Sequence, residues 1–155
     1  MATTGPRGLS PDCMIETAEG PVRMADTPGK GFAVMTRLQP TQLGFRQLIK
    51  VETAEVVPLV RVVLETGHSA VTARGHRFYR RGMEAVAAGD LAPGDLLETA
   101  FHYPEGYWPP DPASPTPRIH IAVHSVESAG EGPVLFGTVR DTHTMFLTAG
   151  VLVAE

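Results

Sequence analysis

The sequence predicts an all-β domain of many short strands, with a proline-rich insertion on its surface. Three observations lead there. Sixteen glycines and 14 prolines in 155 residues suit a strand-and-turn protein and would break most helices. Apolar residues rarely recur at helical spacing. The segment Ile119 to Val126 instead alternates strictly, with Ile119, Ile121 and Val123 on one face and His120, Ala122 and His124 on the other, the period-2 signature of a half-buried strand.

The other elements follow in chain order. Gly5 to Pro11 reads as an open loop within a flexible leader, residues 1–12, ahead of a domain spanning 13–155. Thr53 to Leu64 is Val-rich, and Pro58 marks a bulge or an edge within it, because proline donates no ladder hydrogen bond. Ser69 to Thr72 and His76 to Tyr79 flank a turn at Ala73-Arg74-Gly75. Met83 to Ala88, stopped by Gly89, suits one short helix. Val134 to Val139 and Phe146 to Val153 are further strands, the second broken at Ala149-Gly150. Tyr103 to Arg118 holds six prolines around Trp108. It cannot be a central strand and reads as an extended surface insertion.

Composition narrows the function. Thirteen basic and 17 acidic residues give a net charge of −4, which argues against nucleic acid and against an anionic membrane as partner. Cys13 is the only cysteine, so no internal disulfide forms. The first residues lack the apolar run of a signal peptide, and no apolar stretch is long enough for a membrane helix. A soluble protein is expected, cytoplasmic or part of a phage particle.

Cys13 is the first chemical candidate. A thiol beside its own upstream peptide bond can attack the preceding carbonyl and turn the Asp12–Cys13 amide into a thioester. That shift needs an acid or base near the amide nitrogen and donors for the oxyanion. A lone cysteine is also, more commonly, a small buried hydrophobe. Four histidines, His102, His120, His124 and His143, invite a metal reading. His120 and His124 on one strand face stand about 13 Å apart, too far for one ion, and neither a metal nor a cofactor is expected. Thr27-Pro28-Gly29-Lys30-Gly31 lacks the ending of a phosphate loop. Arg74, Arg77, Arg80 and Arg81 form a basic cluster, read as a solvated face or else as a contact for a carboxylate or a neighbouring subunit. Aromatics among prolines at Tyr103 to Pro110 suit either a loop folded over the domain or a partner-binding arm.

The order of several motifs carries more than any one of them. Cys13-Met14-Ile15-Glu16-Thr17 opens the set. Val71-Thr72-Ala73-Arg74-Gly75-His76 follows, then Gly89-Asp90-Leu91-Ala92-Pro93-Gly94-Asp95-Leu96, and Gly150-Val151-Leu152-Val153 closes it. This order resembles the hedgehog/intein (Hint) autoprocessing domains over nearly the whole chain. The resemblance implies a compact Hint-like β-fold, with Cys13 as nucleophile and Thr72 and His76 as the pair that polarises the scissile amide and protonates its nitrogen. His143 matches the family's late histidine loosely. The departures are specific. Three residues, not two, separate Thr72 from His76, and an odd insertion in a strand flips a side chain unless a bulge at Gly75 restores it. Leu135-Phe136-Gly137 stands where splicing members carry an acid. The chain ends in Ala154-Glu155 where splicing inteins end in His-Asn, so no amide side chain is present to cyclise and splicing is excluded. The resemblance leaves cleavage at Asp12–Cys13, weak or lost, with the leader as substrate. The alternatives are a catalytically silent Hint-fold assembly protein, such as a phage tail or virion component docking through 103–118, and a small β-barrel binding module unrelated to that family.

Overall fold

The computed structural model describes residues 5–40, 42–100 and 120–155, with the side chain of residue 55 excepted. The 103–118 insertion, His102 and Ile119 lie outside the described residues. Eleven strands form one antiparallel sheet: β1 Met14–Thr17, β2 Gly20–Arg23, β3 Ala33–Gln39, β4 Gln42–Leu64, β5 Ser69–Ala73, β6 Arg77–Arg80, β7 Glu84–Ala87, β8 Leu96–Glu98, β9 His120–Val139, β10 Thr144–Phe146 and β11 Leu152–Ala154. Their order is β10-β11-β6-β8-β9-β4-β3-β1-β2, with β5 paired to β4 and β7 to β6. The all-β expectation holds. No helix among the described residues is long and apolar enough to cross a membrane.

Two long strands organise the rest. β4 runs for 23 residues and β9 for 20, paired from Leu48↔Val139 to Leu64↔Val123. Such length on a curved core requires bends. Register shifts fall at Ile49/Glu52, Ala54/Val57, Pro58/Val60 and Val63/Leu64, where unpaired residues let the ribbon turn. One strand thereby serves β3 at its start and β5 near its end. The bulge expected at Pro58 is among these shifts. The expected alternation of Ile121 and Val123 is also present: both are buried and His124 is exposed.

Three sequence expectations need correction. Val134 to Val139 is not a separate strand but the last six residues of β9, which runs on from His120 through Gly130 and Gly132. Residues 83–87 form no helix, and only a single 3-10 turn, Ala88–Asp90, follows. Glu84–Ala87 pairs with β6 across a three-residue turn in which Gly82 and Met83 both have positive φ, and pairing outweighs the modest helix propensity of Glu and Ala. The leader is not free up to residue 12. Leu9 is fully buried and exchanges both backbone hydrogen bonds with Leu135 of β9 at 2.8 Å. Ser10 donates to Val71 of β5. Burying one leucine contributes about 2 kcal/mol, enough to seat a segment otherwise held by backbone contacts.

Leu9, Ile15, Val62, Phe78, Leu97, Val123, Val139, Met145, Val151 and Val153 belong to one core cluster. That core brings the two ends of the described chain together. Ile15 bridges Leu147, and the Thr148 amide donates to the Met14 carbonyl at 3.0 Å.

Candidate functional site

His76 is the centre of this junction. It follows β5 in a tight turn, where its amide donates to the Ala73 carbonyl at 3.0 Å and its own carbonyl accepts from Ala88 at 2.8 Å. The ring is fully buried, edge-on to Phe78 at 6.5 Å between centroids. Its Nδ1 accepts the Gly8 N–H at 2.9 Å, and its Nε2 lies 2.9 Å from the Ala154 carbonyl oxygen. An amide can only donate and a carbonyl can only accept, so these partners select the neutral tautomer with its proton on Nε2. Burial lowers the pKa of the ring to about 4; the Ala154 carbonyl opposes that shift, and the Arg7 charge adds to it.

Thr72 lies on β5 opposite Val60, fully buried. Its hydroxyl donates to the Ala73 carbonyl at 2.9 Å, the same oxygen that accepts the His76 amide. The expected pair is therefore brought together at one carbonyl. Its extra residue does no harm, because Arg74 and Gly75 leave the ladder as a turn and strand parity no longer applies. Gly75 has a further use. A Cβ there would sit 3.0 Å from the Gly5 and Pro6 carbonyl oxygens, so glycine lets the N-terminal segment cross the turn.

The amide addressed by His76 belongs to Gly8, not to Cys13. The Gly8 carbonyl accepts from Ala73 N–H at 2.9 Å, and the Arg7 guanidinium stacks on Phe136 at 5.0 Å. Gly8 has φ +140°, and a Cβ on it would come within 2.6 Å of Val134 Cγ2. Cys13 lies further along the chain in other surroundings. Its amide donates to Ser10 at 3.0 Å and its carbonyl accepts from Met24 at 2.9 Å. The side chain is 6% exposed, on the wall of a cavity of about 410 Å³ also lined by Asp12, Arg61, His68, Ser69 and Thr148. The histidine there is His68, whose Nδ1 faces Thr66 Oγ1 at 3.1 Å. Burial pushes the Cys13 thiol up to about 12, so it is protonated throughout the neutral range.

His143 joins neither group. It sits in a turn with φ +58°, and its Nδ1 is 3.0 Å from Glu155 Oε1. The other Glu155 oxygen accepts Val139 N–H at 2.6 Å. The basic cluster diverges: Arg80 bonds Glu84 and Asp95, the Arg74 stem packs over Gly89, and Arg77 and Arg81 are exposed. Among the described residues no group of three His, Cys, Asp or Glu side chains is placed to share a metal ion.

Gly8 and Ala154 are the site residues that sequence reasoning missed. Ala154 offers only its backbone. Gly8 left one trace, the isolated Leu9 between turn-forming residues, which marks a point where the leader must enter the core.

No family profile matches the chain, and no curated protein is detectably similar in sequence. Solved structures are similar in fold. A variant of the Ssp DnaB mini-intein superposes with a TM-score of 0.79 at 15% identity, covering 98% of this chain and 95% of that one. A bacterial intein-like domain from Clostridium thermocellum gives 0.75 at 20% identity, covering 98% and 100%. A DnaB intein from Synechocystis gives 0.74 at 15% identity, covering 96% and 98%. The architecture is the one these intein and intein-like domains share.

Proposed function

From the premise that the chain is an intein-like Hint domain, we propose that its processing centre has become a structural clamp and that the protein holds segments together rather than cutting them. The carrying observation is the 2.9 Å contact between His76 Nδ1 and the amide of Gly8. An acyl shift at that amide needs a nucleophile on the residue that supplies its nitrogen. Glycine has no side chain, and the ring presents a lone pair there rather than a proton to give the leaving amine.

The geometry around Cys13 argues the same way. Its amide is bonded to the Ser10 carbonyl and meets no imidazole, and its buried thiol is held neutral. Among the described residues, the Cys13 amide has the Ser10 carbonyl as its partner and its thiol is not activated, so cleavage at Asp12–Cys13 is unsupported. The Glu155 carboxylate accepts from Val139 N–H and lies against His143. A silent scaffold with an assembly role, of the kind a phage tail or virion component has, remains the function that fits, and the proline-aromatic segment 103–118 is its candidate contact arm.

The test is intact-mass spectrometry of the native chain and of Cys13→Ala, each incubated for days with and without dithiothreitol or hydroxylamine. Both are expected to keep a single full-length mass. Thiol-dependent loss of residues 1–12 from the native chain alone would restore the processing reading.

A further inference from the structure

We propose that His76 is an acid-sensitive latch on the N-terminal segment: protonation at Nδ1 releases residues 5–10 from the slot between β5 and β9 and leaves β11 seated. The two ring nitrogens have opposite duties. Nδ1 accepts from Gly8 and cannot do so once it carries a proton, because two N–H donors would then face each other at 2.9 Å. Nε2 donates to the Ala154 carbonyl in either charge state, and the positive ring strengthens that bond. One proton therefore loosens the opening of the described chain while keeping its close in place.

The segment is built to leave as a unit. Leu9 is its one fully buried side chain. The rest of its hold is backbone: Gly8 O to Ala73 N, Leu9 with Leu135 in both directions, and Ser10 N to Val71 O. Arg7 adds a stack on Phe136 and a long hydrogen bond from its guanidinium to the Gly137 carbonyl at 3.5 Å. Few anchors make a low-stability unit. The charged residues on the elements next to His76 are Arg7 on the segment, Arg74 and Arg77 near it in sequence, Asp90 in the 3-10 turn after β7, and Glu155 after β11, whose carboxylate is held by Val139 and His143. Of these, Arg7 acts on the ring and disfavours its positive form, which release of the segment would relieve.

The direction and size follow from linkage. Seated, the ring titrates near 4; released to water it titrates near ~6.5. Acid therefore favours the released state, and the opening equilibrium rises about 20-fold between pH 7 and pH 5. Ordinary carboxylates, titrating near ~4, contribute little in that window.

Nuclear magnetic resonance on the full chain tests this. Amide protection, corrected for the intrinsic pH dependence of exchange, is followed at Leu9, Ser10, Ala73 and Leu135, and separately at the β10–β11 pair. The four are expected to lose protection together by about 20-fold from pH 7 to pH 5 while β10–β11 is unchanged. Uniform loss across the sheet, or no loss, overturns the latch. Gly8→Ala supplies a second arm that leaves His76 untouched. Its Cβ would meet Val134 at a backbone φ of +140°, so the segment is expected to unseat at pH 7 and the His76 ring to titrate near ~6.5. A ring still titrating near 4 with the segment unseated overturns the proposal, independently of whether the chain processes itself.

Discussion

His76 and Cys13 are both buried beside the same core, and burial drives both to their neutral forms, yet the two places are built differently. Around His76 each ring nitrogen has a directional backbone partner. Around Cys13 the backbone is satisfied locally, and the buried side chain joins the apolar core cluster at the edge of the cavity of about 410 Å³. Burial with partners makes a polar group a clamp, since removing it leaves buried donors and acceptors unsatisfied. Burial without partners makes a thiol a small hydrophobe. The contrast separates roles that proximity in the sequence would merge.

The largest effect expected from this contrast is kinetic. A thiol titrating near 12 rather than 9 carries about 1,000-fold less thiolate at pH 8. Alkylation of Cys13 by iodoacetamide is expected to be slower than in the urea-unfolded chain by about that factor; equal rates would erase the contrast. Stability comes next. His76→Ala leaves Gly8 N–H and the Ala154 carbonyl unpaired beside a cavity, and a loss of about 3 kcal/mol is expected from urea unfolding. Cys13→Ala should lose about 1 kcal/mol. Similar losses would mean that the His76 contacts contribute no more than packing. The smallest effect belongs to the pair of Glu155, whose side chain is 14% exposed, with the more exposed His143. Glu155→Gln keeps an acceptor for Val139 N–H and removes the charge facing His143, whose side chain is 64% exposed. A change under about 1 kcal/mol is expected, and a larger one would give the chain's close a weight that the geometry assigns to His76.

Much of the fold was legible because its signals are local. The alternation of Ile121 and Val123, the proline at a bulge and the turn at Ala73-Arg74-Gly75 each act within a few residues. The β7 strand was not legible, because Glu84–Ala87 has weak preferences of its own and takes its form from β6. The continuity of β9 was hidden by Ser128-Ala129-Gly130, where alternation lapses at a register shift and pairing with β4 resumes at Glu131. At the site, Thr72 and His76 were legible as a pair and their spacing misled, since strand parity assumes a ladder that the chain leaves at Arg74. Cys13 drew attention by chemistry alone, and the residue whose amide meets the His76 ring is a glycine with no chemistry to notice.

The one-dimensional pattern determined that this chain forms strands and which faces point inward, because hydrophobic periodicity is a property of neighbouring positions. Only the tertiary structure decided which peptide bond meets His76. That choice rests on where Leu9 finds a buried place between β5 and β9, a long-range packing event whose partners lie more than 60 residues away in Thr72 and Leu135. A contact made across such separation leaves no imprint on local spacing.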